Sequence, residues 1–147
     1  ESGTGDWSSD VCSSVCSLAE RRCLVPVTSL NETKGKKLAT DYCFALEGDG
    51  DDRTPFAIAG LWRVETEDLL EPEHPRRVHT MVTTEANDLV RPIHAKGRMP
   101  VILRPDDYET WLTGSLEEAA ALIKPYPSDE MQIVLKGIGE KRDEAGL

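Results

Sequence analysis

Two side chains in this sequence are the best candidates for moving protons, a glutamate and a histidine. Glu32 lies six residues after Pro26, in a segment that we predict to be a turn between two strands. His94 changes charge near neutral pH, so it is the stronger acid–base candidate. The ordinary alternatives are a solvated surface carboxylate and a structural histidine, and residue type alone leaves both open. His74 and His79 are weaker candidates, since one lies in an acidic loop and the other in a predicted strand.

Positive charge is concentrated around His94. Between Leu89 and Arg104 there are four basic residues and no acidic one, within a chain whose formal net charge is -10. The basic residues are Arg91, Lys96, Arg98 and Arg104. A basic segment beside a titratable histidine is what a phosphate-handling site requires. The alternative is a loop that only balances acidic neighbours, and the lack of stacking aromatics in this window weakens an interpretation as a single-stranded DNA site from composition alone.

The elements that must position these side chains alternate irregularly along the chain. Apolar and β-branched runs predict five strands, and Ser115 with Glu118 forms the capping box of a helix. Within the predicted strand Phe56–Trp62, Gly60 indicates a bulge or the close approach of another backbone. No strand is predicted after Gln132. The segment from Ala86 to His94 fits a short helix or turn. The predicted strands are Cys23–Val27, Thr40–Leu46, Phe56–Trp62, Val78–Thr84 and Met99–Leu103, and the predicted helices are Pro105–Leu112 and Leu116–Lys124. The sum is an α+β fold.

Length and composition restrict the classes of protein that fit. A chain of 147 residues has room for one domain rather than two. A mean hydropathy of -0.41 and the lack of a long apolar run exclude a membrane-spanning helix. The acidic excess argues against non-specific nucleic-acid binding by the whole surface, because phosphate neutralisation needs clustered lysine and arginine. The first ten residues contain no apolar segment of the kind found in secretory signals.

The four cysteines, at positions 12, 16, 23 and 43, predict neither disulfides nor a metal site. Nothing indicates secretion, and the last two cysteines do not form a second pair with zinc-ligand spacing. The acidic run from Glu47 to Asp52 lacks the ligand spacing of an EF-hand. No glycine-rich phosphate loop is present either. We therefore expect reduced thiols, no metal and no cofactor.

The N-terminal stretch differs in character from the rest of the chain. Residues 1–17 are rich in serine, glycine and aspartate and have no apolar period, which predicts a disordered leader. The run from Asp6 to Ser14 resembles the translation of a common sequencing-adapter oligonucleotide, so we interpret the leader as spurious. Residues 18–135 form the predicted domain, and residues 136–147 a charged tail.

Six motifs in order resemble the SOS response-associated peptidase (SRAP) family, the abasic-site processing proteins. Each motif is weak alone, and their shared order makes the resemblance specific. They are Arg21-Arg22-Cys23-Leu24-Val25-Pro26, Glu32, Phe56–Trp62, Thr83-Thr84-Glu85-Ala86-Asn87, Ile93-His94 with Arg98–Leu103, and Pro125–Met131. The resemblance implies a barrel-like β core with short peripheral helices, in a cytoplasmic bacterial protein that associates with the nucleoid upon DNA damage.

The same resemblance implies a covalent function. In the family, removal of the initiator methionine exposes an N-terminal cysteine, which crosslinks to abasic sites in single-stranded DNA as a thiazolidine, with lyase activity as a related reaction. Glu32 falls on the family glutamate and His94 on the family histidine, and both assist the chemistry. Arg98, Lys96 and Arg91 would hold the phosphates beside the lesion. The implied partner is abasic single-stranded DNA, without metal or membrane, and the implied state is a monomer.

The departures from the family concern the N-terminal side. The family opening Met-Cys-Gly-Arg is absent, and Cys23 matches an ordinary strand position of the family. Thr33 stands where a tryptophan commonly follows the glutamate. We therefore interpret the chain as the C-terminal part of an incomplete SRAP domain, inactive in crosslinking by itself. The alternative function is a non-catalytic module that binds nucleic acid or an acidic partner through residues 91–104.

Overall fold

The computed structural model describes residues 16–35, 39–48, 53–65 and 76–138. Most of the predicted leader and most of the predicted tail therefore lie outside the described residues. Residues 16 and 17 of the predicted leader belong to a helical turn over residues 16–20, here α1. Residues 136–138 of the predicted tail belong to a strand. Within the described residues, no helix is long and apolar enough to cross a membrane.

The described part of the chain contains nine strands and two further helices. In chain order they are β1 (Arg22–Val27), β2 (Leu30–Lys34), β3 (Thr40–Leu46), β4 (Phe56–Glu65), β5 (Arg76–Met81), β6 (Thr83–Glu85), β7 (Arg98–Pro100), β8 (Ile102–Leu103), α2 (Tyr108–Thr113), α3 (Leu116–Ala121) and β9 (Met131–Ile138). Short 3-10 turns occupy Pro105–Asp107 and Ser128–Glu130.

The strands form three antiparallel sheets. In the first sheet, β4 pairs with β1 on one edge and with β5 and β8 on the other. The second sheet has the order β2-β3-β9, and the third consists of β6 and β7. The α+β class is confirmed. The described strands form separate sheets of four, three and two and do not close into a barrel.

The centre of the first sheet is β4, whose first five residues are all buried. Gly60 lies there opposite Cys23 of β1. A Cβ at Gly60 would come within 2.8 Å of the Cys23 sulfur and 2.9 Å of the Val25 side chain. The close neighbours at Gly60 are thus side chains of β1, which fill the space that any larger residue would need, and the pairing of β1 with β4 passes through Gly60 without a register shift.

Two hydrophobic clusters form the core. The first lies between the first and second sheets and includes Phe44, Ile58 and Met99. The second surrounds Trp111 of α2, which is fully buried and donates its indole N–H to the Cys23 carbonyl at 2.9 Å. Burial of a large aromatic with its polar atom satisfied anchors α2 against β1. The first cluster also holds the segment that carries His94, through Ala86, Val90 and Ile93.

Two predicted strands are each divided in the structure, and the two interruptions contact each other. Predicted Val78–Thr84 is split at Val82, and predicted Met99–Leu103 is split at Val101. The Val101 N–H donates to the Val82 carbonyl, and the N–H of Val82 in turn donates to the carbonyl of Ala59, each at 2.8 Å. The backbone groups at the interruptions are thus paired, although the regular ladder stops there.

The helices follow their sequence signals at the start and less well at the end. Ser115 accepts the Glu118 N–H on its hydroxyl and donates its own N–H to the Glu118 carboxylate, which is the predicted capping box. Helix α3 ends at Ala121, before the predicted end at Lys124. The predicted helix Pro105–Leu112 is a 3-10 turn followed by α2.

The expectation that no strand follows Gln132 is wrong. Strand β9 runs over Met131–Ile138 and pairs along the whole of β3, from Leu46 opposite Met131 to Thr40 opposite Ile138. This pairing supplies hydrogen bonds to the backbone of β9, whose apolar residues Ile133, Val134 and Leu135 favour a strand. Cys23 and Cys43 are free thiols, and burial raises the pKa of Cys23. Cys12 lies outside the described residues.

Candidate functional site

Glu32 lies in the middle of strand β2, so its predicted position in a turn is wrong. It stands opposite Tyr42 of β3, and its side chain is about three-quarters buried, with 24% exposed. Burial raises the pKa of the Glu32 carboxyl above its ordinary value of 4.5, while the charge of His94 opposes that rise. A carboxyl held in this way exchanges protons at a higher pH than a solvated one, as acid–base catalysis requires.

His94 lies in a series of turns between β6 and β7, where a short helix or turn is predicted. Its N–H donates to the Val90 carbonyl at 3.1 Å, and its carbonyl accepts the Gly97 N–H at 2.9 Å. The buried residues Val90 and Ile93 fix this segment to the first hydrophobic cluster. The imidazole is therefore attached to a packed part of the molecule, although its segment has no regular secondary structure.

The structure brings Glu32 and His94 together. Nε2 of His94 lies 3.8 Å from Oε2 of Glu32, and 26% of the His94 side chain is exposed. This distance is longer than a hydrogen bond and within the range of an ion pair, and such contacts often tighten when a substrate binds. Two titratable groups in contact, both mostly buried and both open to solvent on one side, can exchange protons with a bound ligand.

Two backbone groups hold the other nitrogen of His94. Nδ1 accepts the N–H of Lys96 at 3.1 Å and the N–H of Arg98 at 3.2 Å. Gly97, between these donors, has a φ of 60°. Glycine adopts this left-handed conformation without steric cost, so it lets the chain turn back towards the imidazole.

The basic residues around His94 have different surroundings. Arg98 is held by Thr83, whose hydroxyl and carbonyl oxygens accept its guanidinium N–H groups. Arg91 is 3.1 Å from Asp88 and also donates to the Ala86 carbonyl. Lys96 is exposed. The charge of Arg91 is thus offset by a carboxylate, whereas the oxygens that hold Arg98 are uncharged.

Arg104, the fourth basic residue of the segment, interacts with residues outside this group. It pairs with Glu130 at 2.6 Å and lies over the ring of Tyr126, 5.2 Å from its centroid. The hydrogen bond from Arg104, together with the charge of Arg104, lowers the pKa of Glu130. Sequence proximity therefore overstates the positive charge near His94, since Arg91 and Arg104 each have an acidic partner. Lys96 and Arg98 are the better placed to meet an incoming anion.

Asn87 is a site-forming residue that the residue chemistry did not single out. It is 7% exposed and donates its amide N–H to the Tyr126 carbonyl at 2.7 Å. Its amide oxygen accepts the N–H groups of Leu89 and Val90, at 3.2 and 3.0 Å. The sequence signal that could have identified it is an asparagine at the start of a turn, because such a side chain accepts hydrogen bonds from the N–H groups that follow it. Asn87 thereby fixes the segment that leads to His94.

His79, the other described histidine, does not join this pair. His79 lies on β5 and lines two adjoining cavities of about 320 and 390 Å³ with Trp62 and Val78. His74 lies outside the described residues. Among the described residues, no group of three or more histidine, cysteine or acidic side chains is arranged to hold a metal ion.

The fold and the site together define an α+β protein with a carboxylate–imidazole pair beside an arginine. The model of the SOS response associated peptidase (SRAP) family matches residues 15–135, and this chain belongs to that family. The printed name of the family refers to the SOS response and to a peptidase. A comparison with curated proteins gave no match.

Solved structures support the same fold. A protein from Bacteroides thetaiotaomicron is 27% identical with a TM-score of 0.69, over 79% of this chain and 49% of that one. A protein from Bordetella bronchiseptica is 28% identical with a TM-score of 0.67, over 85% of this chain and 58% of that one. A phage-related protein from Bordetella bronchiseptica, at 22% identity and a TM-score of 0.56 over 80% and 54%, shares the fold. The chain thus spans about half the length of the structures it matches, which agrees with its interpretation as part of an SRAP domain.

Proposed function

We propose that the protein to which this chain belongs crosslinks covalently to abasic sites in single-stranded DNA. The observation that supports this proposal is the contact between Glu32 and His94, with Arg98 on the turn that holds the imidazole. Glu32 comes from β2, His94 from the turns before β7 and Arg98 from the start of β7, and the resemblance of the motifs matches them to the family positions for this chemistry. The nucleophile is an N-terminal cysteine exposed by self-removal of the initiator methionine. The sequence given begins with Glu1, so that cysteine is not among these residues.

The proposed reaction joins one aldehyde and one aminothiol. The α-amine of the cysteine adds to the aldehyde of the ring-opened abasic sugar, and loss of water leaves an imine. The thiol sulfur then bonds to the imine carbon while its proton passes to the nitrogen, which closes a thiazolidine ring. The products are one thiazolidine and one water. Formation and loss of the carbinolamine need proton transfer at neutral pH. A positioned acid–base side chain accelerates such steps by about 10²–10⁴-fold.

The chain supplies groups for each requirement of this reaction. Glu32, with its raised pKa, transfers protons to and from the carbinolamine. His94 acts at the sugar ring oxygen, where it favours the open aldehyde. Arg98 and Lys96 bind phosphates next to the lesion, and Arg91 contributes less because Asp88 offsets its charge.

The test uses the protein with a verified N-terminal cysteine and a single-stranded oligonucleotide that carries one abasic site. We expect a complex that survives denaturing electrophoresis and is lost when the cysteine is replaced by alanine. Glu32→Gln should slow its formation by roughly 100-fold or more, the scale of lost acid–base assistance. Glu117→Gln, which makes the same change at an exposed carboxylate on α3, is the matched control and should leave the rate unchanged. No covalent complex with the cysteine present would refute the proposal.

The 147-residue chain is itself a control, and we expect it to form no denaturation-resistant complex. Salt-sensitive binding by this chain that is lost in Arg98→Ala and Lys96→Ala, with Glu32→Gln and His94→Gln harmless, would instead support the non-catalytic binding module. The described contacts favour that alternative less, because Arg91 and Arg104 already pair with acidic residues.

A further inference from the structure

The contacts of the His94 ring carry information beyond its place in the pair. Its Nδ1 lies within hydrogen-bond distance of two backbone N–H groups, those of Lys96 and Arg98. A backbone N–H is only ever a donor, so the ring nitrogen must be the acceptor in both contacts. An accepting imidazole nitrogen carries no proton. The single proton of a neutral His94 then resides on Nε2, which faces Glu32.

We propose that the turn from His94 to Arg98 fixes His94 as its Nε2–H tautomer, and that Gly97 is the positioning residue that makes this possible. The N–H of Lys96 donates to the side chain of the residue two positions before it. Asparagine side chains accept the same kind of contact in turns, and here the imidazole takes the place of the amide. The contact of Arg98 adds a second donor to the same lone pair. Protonation at Nδ1 would remove both interactions.

Gly97 determines whether the two donors can reach the ring. Its φ of 60° places the N–H of Arg98 back over His94, and its carbonyl accepts the N–H of Ala86 at 2.8 Å. A Cβ at Gly97 would meet no atom within 4 Å. A substitution there therefore tests the backbone conformation alone. Alanine disfavours this conformation, whereas asparagine tolerates it.

This assignment sharpens the proposed function and, for the roles of the two residues, rests on it. With Nδ1 occupied, a neutral His94 has no free lone pair with which to act as a base. It acts as a hydrogen-bond donor from Nε2 to an oxygen of the substrate, and Glu32 is the group that takes up and releases protons. A neutral histidine that polarises an oxygen beside a glutamate base is an established division of labour in enzymes. The tautomer itself depends only on the turn and is measurable without DNA.

The experiment is a long-range 1H–15N spectrum of the 15N-labelled 147-residue chain at a pH where the imidazoles are neutral. The sequence contains three histidines, and His79 serves as an internal reference for an imidazole outside the pair. We expect His94 to give the pattern of a pure Nε2–H tautomer, and we expect the amides of Lys96 and Arg98 to be protected from exchange. A His94 pattern of mixed tautomers like that of a free imidazole, or of the Nδ1–H form, would overturn the proposal.

Three variants separate the turn from the other influences on His94. Gly97→Ala should speed amide exchange at Lys96 and Arg98 by roughly tenfold, the scale of alanine's preference against this conformation, and Gly97→Asn should restore protection. Glu32→Gln should leave the tautomer unchanged, because the turn and not the carboxylate selects it. Equal exchange in the alanine and asparagine variants would refute the role of Gly97. Failure of DNA crosslinking with an intact Nε2–H signal would count against the proposed function and not against the tautomer.

Discussion

Replacement of Asn87 by alanine tests how the segment that carries His94 is held. The buried amide of Asn87 makes three hydrogen bonds with backbone groups, one to the Tyr126 carbonyl and two from the N–H groups of Leu89 and Val90, and its nitrogen also donates to the Met131 sulfur at 3.3 Å. Alanine would remove all three and leave their partners without a replacement inside the protein. Each lost bond of this kind costs about 1 kcal/mol, so the free energy of unfolding should fall by about 3 kcal/mol. For a domain of this size that corresponds to a decrease in Tm of roughly 10 °C.

The assay is urea denaturation of the 147-residue chain followed by tryptophan fluorescence, since Trp111 is fully buried in the native state. Asp88→Ala is the matched control. Asp88 adjoins Asn87, but its side chain is 85% exposed, and its pair with Arg91 should contribute no more than about 0.5 kcal/mol. If Asn87→Ala costs less than about 1 kcal/mol, or no more than the control, the three hydrogen bonds do not hold the segment and the reasoning is wrong.

Three further predictions concern other parts of the molecule. Gly60→Ala should destabilise the fold by about 1–3 kcal/mol in the same assay, because its Cβ would overlap β1 side chains, whereas Gly137→Ala, which meets nothing within 4 Å, should cost much less. Ser115→Ala should remove the cap of α3 and cost about 1 kcal/mol, and an unchanged urea midpoint would contradict this. Because the pKa of Glu32 is higher in the folded than in the unfolded chain, stability should fall as pH rises from about 4.5 through the raised value. Urea titrations of Glu32→Gln should show less of that decline, and an identical pH dependence would refute the assigned shift.

The residues of the site were predictable by type, but their relation in space was not. Histidine and glutamate are the side chains that acid–base chemistry favours, and the ordered motifs pointed to Glu32 and His94 in particular. Their separation in the sequence gives no distance, because β2 and the turns before β7 meet only through the tertiary fold. The local signal for Glu32 was also misleading. Asn31 disfavours strands, yet pairing with β3 places Asn31, Glu32 and Thr33 in a strand.

The errors in the predicted strands have non-local pairing in common. Strand β9 forms because β3 offers a complete edge to it. At the interruptions, the Val101 N–H donates to the Val82 carbonyl, and both residues also form hydrogen bonds with Ala59 of β4. The features that depend on neighbours in sequence, such as the capping box at Ser115, were predictable. Features that depend on a partner strand were not.

The distance between Glu32 and His94 follows from a core that both segments share. Val90 and Ile93 belong to the first hydrophobic cluster, and Leu30 of β2, two residues before Glu32, packs against the same cluster. Alternate residues of a strand point to the same face, so burial of Leu30 directs the Glu32 side chain to the side where His94 lies. Burial of Ile93 places the following residue at the edge of that cluster. The packing of apolar neighbours on both sides thus determines where Glu32 and His94 lie. The hydrogen bonds of the turn then fix the orientation of the imidazole.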